Sequence, residues 1–395
     1  MKKIGHFYLI LILGSLTALG PFSIDMYLSA FPQMAHFFNT SVAQISMTLS
    51  SYFIGLASGQ LFYGVLMDRY GRKKPLYAGL SIYTLASIGC AFSTSIEALI
   101  ALRFLQALGG CSASVAAFAM VRDLFTPKES TKVLSLLILI LGVSPLLAPT
   151  FGGFLTIHFN WSAVFIALTI IALIIFYFVF RYLPESHKGD KTQELRIAPI
   201  TRNYISILKE PGFYTYALSG ATAFSGLFAY LAASPTIFME IFGVSESMYG
   251  WIFAIIAMGI VGMSQLNVLL VRRYPSEKIL LTSFLLLVLV SLVFSICSYY
   301  HFYNLYSVVG ILFLFLACIG LSNPNSAALA MAPFGKKAAS AAALLGFLQM
   351  TIGAIASLGI SLLKSQELFP ISALFLIMSI LALTILIVGS KKLVE

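Results

Sequence analysis

The stretch G-V-L-M-D-R-Y-G-R-K-K, Gly64 to Lys74, changes character abruptly: an apolar run ends at Met67, then Asp68, Arg69, Arg72, Lys73 and Lys74 follow within seven positions. Beyond Pro75 the apolar pattern resumes. The glycines at Gly64 and Gly71 permit a tight turn and close approach of the flanking segments. A second, degraded copy, R-R-Y-P-S-E-K, stands at 272–278. A charged turn that recurs between apolar runs points to a chain built from two similar halves, an arrangement that in membranes encloses a solute site near the midplane.

The rest of the chain agrees with that reading. Of 395 residues 59% are hydrophobic and 10% charged, too few polar side chains to cover a water-soluble domain. A hydrocarbon layer about 30 Å thick takes about 20 apolar helical residues. Twelve runs of that kind lie at 7–30, 42–66, 75–94, 97–121, 133–157, 162–183, 212–238, 248–271, 278–299, 303–331, 338–362 and 368–390. Pro21, Pro145, Pro149, Pro235 and Pro324 fall inside them, which neighbouring helices can accommodate. The short alternating segments of a membrane β-barrel are absent. The expectation is an all-α membrane protein with a six-helix bundle over 1–183, a cytoplasmic linker over 184–211 and a second six-helix bundle over 212–395.

Lys and Arg are retained on the cytoplasmic side of a membrane. With both termini inside, all of the 24 basic residues except Lys364 and Arg103 fall in cytoplasmic segments. The formal charge of +10 is therefore a topological signal and no argument for nucleic acid. Lys2 and Lys3 precede a run that continues past Pro21 with no small-residue cleavage site, so it reads as the first span. Cys90, Cys111, Cys297 and Cys318 lie within spans, without the spacing of a zinc or redox site. There is no nucleotide loop, metal-ligand cluster or H-E-x-x-H pattern, so neither ATP drive, a metal nor an enzyme activity is expected.

Gly64–Lys74 closely resembles the signature between helices 2 and 3 of the major facilitator superfamily. L-I-A-L-R-F-L-Q-A-L-G-G, Leu99 to Gly110, is similar to its helix-4 pattern of an Arg and a Gln one turn apart, departing from it at Ala107. G-V-S-P-L-L-A-P-T-F-G-G, Gly142 to Gly153, resembles the helix-5 motif of its exporters in a two-proline form. With I-D-M-Y-L-S-A-F-P (24–32), V-R-D-L-F (121–125) and the segment 328–349, nearly the whole chain resembles the Bcr/CflA drug:proton antiporters. Ser29, where members commonly carry proline, is a departure that bears on the kink of helix 1.

The resemblance implies the major facilitator fold, twelve helices around a central cavity in a bacterial inner membrane. It implies a monomer that exports small amphipathic or aromatic compounds, antibiotics included, in exchange for protons, with no cofactor. Its rival is a dedicated metabolite route on the same scaffold. It also implies roles. Gly64, Asp68, Gly71 and Arg72 form a gate; the alternative is a solvated charge cluster. Gly142, Pro145, Pro149, Gly152 and Gly153 form a kinked, tightly packed helix 5. From the residues themselves, Tyr27, Tyr52 and Phe118 are candidate aromatic contacts in the substrate cavity, the alternative being that they face lipid or core, and Gln106 suits either cavity lining or a helix contact.

Asp25 and Arg103 are the two clear cases of a charged side chain well inside a span. Each lies 18 positions from the cytoplasmic face, about 27 Å up its helix, so a proton-coupling pair is geometrically reasonable. The alternatives are an interfacial carboxylate and a snorkelling cation. Arg122 with Asp123 reads as a structural or gating pair, and Glu240 as a second titrating group or an exposed one. Gln60, Asn267, Asn323, Asn325 and Gln349 suit either helix contacts or cavity lining.

Overall fold

The computed structural model describes residues 6–190, 197–334, 338–363 and 367–394, and among these it is helical with no strand. In order it comprises α1 (His6–Asp25), one 3₁₀ turn (Leu28–Ala30), α2 (Phe31–Phe37), α3 (Val42–Tyr70), α4 (Lys73–Ala91), α5 (Ile96–Leu124), α6 (Pro127–His158) and α7 (Trp161–Tyr182). There follow α8 (Ile197–Leu208), α9 (Pro211–Pro235), a π-helical turn (Thr236–Ile241), α10 (Glu246–Leu270), α11 (Ser276–Tyr299), α12 (Leu305–Met331), α13 (Ala338–Leu363) and α14 (Leu368–Val394).

Eleven of the described segments are long and apolar enough to cross a membrane, α1 with α2 forming one of them. The twelfth expected span is α4. It has the length, but Lys73 and Lys74 at its start and Ser81, Thr84 and Ser87 along it lower its apolar character. The helix starts carry polar caps where side-chain acceptors satisfy free backbone N–H groups. Ser95 accepts from Ala98 N at 3.2 Å, Thr126 and Glu129 form a capping box, and Asn160 accepts from Ala163 N at 3.1 Å.

Two features of the helices go beyond the sequence reading. The first span was expected to run over 7–30 with Pro21 accommodated inside it; α1 does run through Pro21 but stops at Asp25, and the break lies at Met26–Ala30. Proline is tolerated where lost hydrogen bonds are replaced nearby. The interval 184–211, expected as a linker, contains the helix α8, whose Ile207 is buried with Phe213, Ala217 and Ala341.

The chain divides into two compact units, Met1–Phe38 with Ser51–Leu195, and Asn39–Ser50 with Arg196–Glu395. In the first, α1 packs on α5, α6 and α7, and α4 on α5 and α7. In the second, α9 packs on α12, α13 and α14, and α11 on α12 and α14. The neighbour scheme thus repeats. Asn39–Ser50 belongs with the second unit because Ser46 Oγ donates to Ala232 O at 3.0 Å and Ser50 Oγ meets Ser357 Oγ at 2.8 Å. The first unit's core joins Leu13, Leu16, Leu80, Tyr83, Ala113, Ala117 and Leu137, small residues alternating with large so that backbones approach closely.

Candidate functional site

Asp25 is the last residue of α1, and the chain then turns before resuming as a helix. Met26 N still closes on Phe22 O at 3.1 Å, and Ser29 Oγ donates to Met26 O at 3.2 Å, so part of the broken ladder is repaired locally. The break rests on α6. A Cβ at Gly152 would stand 1.8 Å from Met26 O, so only glycine lets the two backbones meet. Asp25 is 4% exposed and the interfacial-carboxylate reading is set aside.

Arg103, on α5, is fully buried, so it does not snorkel. Its guanidinium donates to Gln106 Oε1 at 2.5 Å and to Ser23 O at 2.9 Å. Gln106 in turn donates to Ser87 Oγ at 2.7 Å. Three rings enclose the cation: Tyr27 at 4.1 Å, Tyr52 at 4.2 Å and Phe165 at 5.7 Å from Cζ to ring centre. Such contacts contribute about 2 kcal/mol each when desolvated. Nε has no hydrogen-bond partner among the described residues. The cation is thus held by rings, an amide and a carbonyl. The cation reaches the backbone two residues before Asp25, but among the described residues Asp25 makes no ion pair with it.

At one end of the same unit the turn between α3 and α4 is tied down by Arg72. Its guanidinium bonds Asp68 Oδ1 at 2.5 Å and Asp123 Oδ2 at 2.9 Å, joining α3, α4 and α5. Ser186 Oγ also donates to Asp123 Oδ2 at 2.8 Å. Glu185 accepts from the backbone N–H groups of Arg72 and Lys73 at 2.8 and 3.1 Å, the free donors at the start of α4. Gly71 has φ +86°, a left-handed conformation that glycine alone adopts without strain.

The profile of the Major Facilitator Superfamily matches residues 13–358, most of the chain. This chain belongs to the major facilitator superfamily. The major facilitator chain is 33% identical over 351 residues to the uncharacterized MFS-type transporter YdgK of Bacillus subtilis, covering 88% of this chain and 86% of that protein. It is 33% identical to a bicyclomycin resistance protein homolog of Haemophilus influenzae, covering 69% of each. It is 29% identical to the multidrug resistance protein MdtL of Shewanella oneidensis, covering 92% and 90%. Its fold is that of a D-xylose-proton symporter crystal structure, at TM-score 0.76 and 15% identity over 95% of this chain and 97% of the other. It is a multi-pass membrane transporter of small molecules.

In this transporter the residues read from sequence fall into separate places. Tyr27, Tyr52 and Gln106, expected as cavity lining, are fully buried against Arg103, while Phe118 is half-buried against the first unit's core. Gly64, expected to allow close approach, has open space where a Cβ would stand, so that part of the gate reading is corrected. Asp123 was expected beside Arg122; it bonds Arg72 instead, and Arg122 is exposed. Glu240 is exposed at the π-helical turn. Pro145 and Pro149 lie inside an unbroken α6, with Gly142 half-buried and Gly153 buried. Glu185, Ser186 and Ser23 were missed. The P-E-S triplet right after the sixth span was the available signal for the first two; Ser23 acts through its backbone and leaves no side-chain signal.

Proposed function

We propose that this transporter exports small amphipathic or aromatic compounds, antibiotics among them, in exchange for protons and by alternating access. The observation that carries the reading is a buried carboxylate, Asp25, on the same helix turn as the carbonyl that holds the buried cation Arg103, in a chain similar to proteins named for bicyclomycin and multidrug resistance. It works as a monomer in a bacterial inner membrane with both termini cytoplasmic and no cofactor. Residues 1–183 and 212–395 act as the two rocking bundles.

Asp25 carries the proton. With the proton on, the carboxyl is neutral and the Arg103 cage stands alone; with the proton off, the carboxylate attracts the guanidinium and pulls it from Tyr27 and Tyr52. Those rings and Gln106 are then free to meet solute, so proton and solute compete through a coupling free energy. Each pH unit supplies about 1.4 kcal/mol per proton, and 100 mV a further 2.3 kcal/mol or about that. One pH unit and 100 mV together therefore let one proton drive at most a gradient of roughly 500-fold in a neutral solute. Asp68, Arg72 and Asp123 act as the gate, stabilising one access state.

The test is growth and accumulation. Cells expressing the chain should accumulate less chloramphenicol, and collapse of the proton gradient should restore accumulation. Unchanged accumulation across a panel of amphipathic drugs, with uptake or release of one polar metabolite, would favour the dedicated route.

A further inference from the structure

At the end of the first unit opposite the Arg72 turn, three elements meet around a cavity of about 380 Å³, within the size range of small-molecule sites. α2 supplies Gln33, His36 and Phe37, the end of α4 and the turn after it supply residues 91–94, and the start of α7 supplies residues 160–162. Among the described residues no Lys, Arg, Asp or Glu lines it, and His36, its one ionisable group, is exposed.

The polar groups divide by wall. The first N–H groups of a helix have no partner within it. At α7 the Asn160 side chain caps that of Ala163 at 3.1 Å, so among the described residues those of Trp161 and Ser162 remain to donate. Such a helix start favours an anion. On the other two walls the free capacity is for accepting. Ser93 Oγ, in a residue 7% exposed, gives its hydrogen to Cys90 O at 2.9 Å and can only accept from the cavity. Gln33 Oε1 is buried with no hydrogen-bond partner among the described residues, which leaves its desolvation uncompensated. A small turn about the soft last torsion of that side chain brings the oxygen onto a group in the cavity. Trp161, 5% exposed and packed on Phe37 at 5.2 Å between ring centres, adds an aromatic surface of the kind that attracts a cation.

Donors on one wall, acceptors on two others and no formal charge to neutralise match a zwitterion, with its phosphate at the start of α7 and its ammonium at Gln33 and Ser93. The rim is apolar, Phe37 being 52% and Phe92 76% exposed, and suits acyl chains. A belt of interfacial aromatics accounts for exposed rings but not for the buried Trp161 or the unpaired Gln33 oxygen. We infer that this cavity holds the headgroup of a phospholipid with a primary ammonium, phosphatidylethanolamine being the simplest. Phosphatidylcholine keeps the phosphate and lacks the N–H donors. With the termini cytoplasmic, as proposed above, the lipid belongs to the outer leaflet. It ties α2, the piece that follows the break at Met26–Ala30, to α4 and α7.

The sequence has two tryptophans, so Trp251→Phe, at an exposed position on α10, leaves Trp161 as a fluorophore in the cavity wall. In nanodiscs of phosphatidylcholine, quenching of Trp161 by phosphatidylethanolamine with brominated chains is compared with quenching by brominated phosphatidylcholine at the same fraction. The ethanolamine lipid should bind about fivefold more strongly, the effect of one net hydrogen bond. Gln33→Leu should bring that ratio to about one, and Gln33→Glu, which keeps the acceptor, should preserve it. Equal quenching by the two lipids, or a Gln33→Leu protein that melts like its parent and keeps the preference, would overturn the inference. Glycerophosphoethanolamine, the headgroup without chains, should leave the quenching unchanged at millimolar concentration; displacement of the lipid by it would make the ligand a free solute and overturn the lipid assignment.

Discussion

The guanidinium of Arg103 lies 4.1 Å from the ring centre of Tyr27, two residues past Asp25, and makes no ion pair with that carboxylate. The cation is therefore stored on aromatic faces. Removing a face should loosen it. Tyr27→Leu and Tyr52→Leu should each lower stability by about 1–2 kcal/mol and shift the pH dependence of drug binding, whereas Phe at either position should retain most of both. Thermal melts and binding titrations across pH check this; Leu variants indistinguishable from wild type would show that the rings do not hold the charge.

Two glycines of the recognised motifs should respond oppositely to alanine. At Gly152 a Cβ meets the Met26 carbonyl, so Gly152→Ala must push the broken segment after Asp25 off α6 and should cost several kcal/mol or block folding. At Gly64 nothing stands within 4 Å, and Gly64→Ala should be neutral or stabilising by up to about 1 kcal/mol. Expression level and melting temperature of the two variants decide it.

These contrasts mark what was legible beforehand. The helical spans followed from apolar run length, and Asp25 and Arg103 stood out because charge inside an apolar run is costly and visible. Gly71 was legible because its turn sits between charges. What Arg103 touches was not, since Ser23 contributes a backbone carbonyl and Tyr27 and Tyr52 are two aromatics among many. The break at Met26–Ala30 was not legible either, because no single residue type announces it inside the apolar run 7–30. α8 escaped because its 12 residues are too few to read as a span.

The Arg72 node predicts a ranking at the charged turn. Arg72→Ala disconnects Asp68 from Asp123 and should cost more transport than Arg122→Ala, whose exposed side chain should matter by no more than about 0.5 kcal/mol. Asp68→Asn should impair transport more than drug binding, because the group biases an access state and does not touch solute. Parallel binding and efflux assays separate the two; equal loss of both in Asp68→Asn would contradict the gate.

The topology has its own test. Reporter tags at residue 190 and at the C-terminus should be cytoplasmic, and one near residue 243, where Gly243 turns with φ +63° between the π-helical turn and α10, should be external. A cytoplasmic signal at 243 would contradict the twelve-span arrangement.

The proton-carrier role of Asp25 is tested most directly by reconstituting wild type and Asp25→Asn in proteoliposomes, imposing a pH gradient and following a neutral drug. Wild type should build a drug gradient against concentration. Asp25→Asn should build none, and the drug binding and downhill exchange that remain should be weaker than in wild type and independent of pH, because a neutral side chain leaves Arg103 on Tyr27 and Tyr52 whether or not protons are available. A pH-driven gradient of wild-type size in Asp25→Asn would contradict the account and leave Asp25 a structural residue at the end of α1.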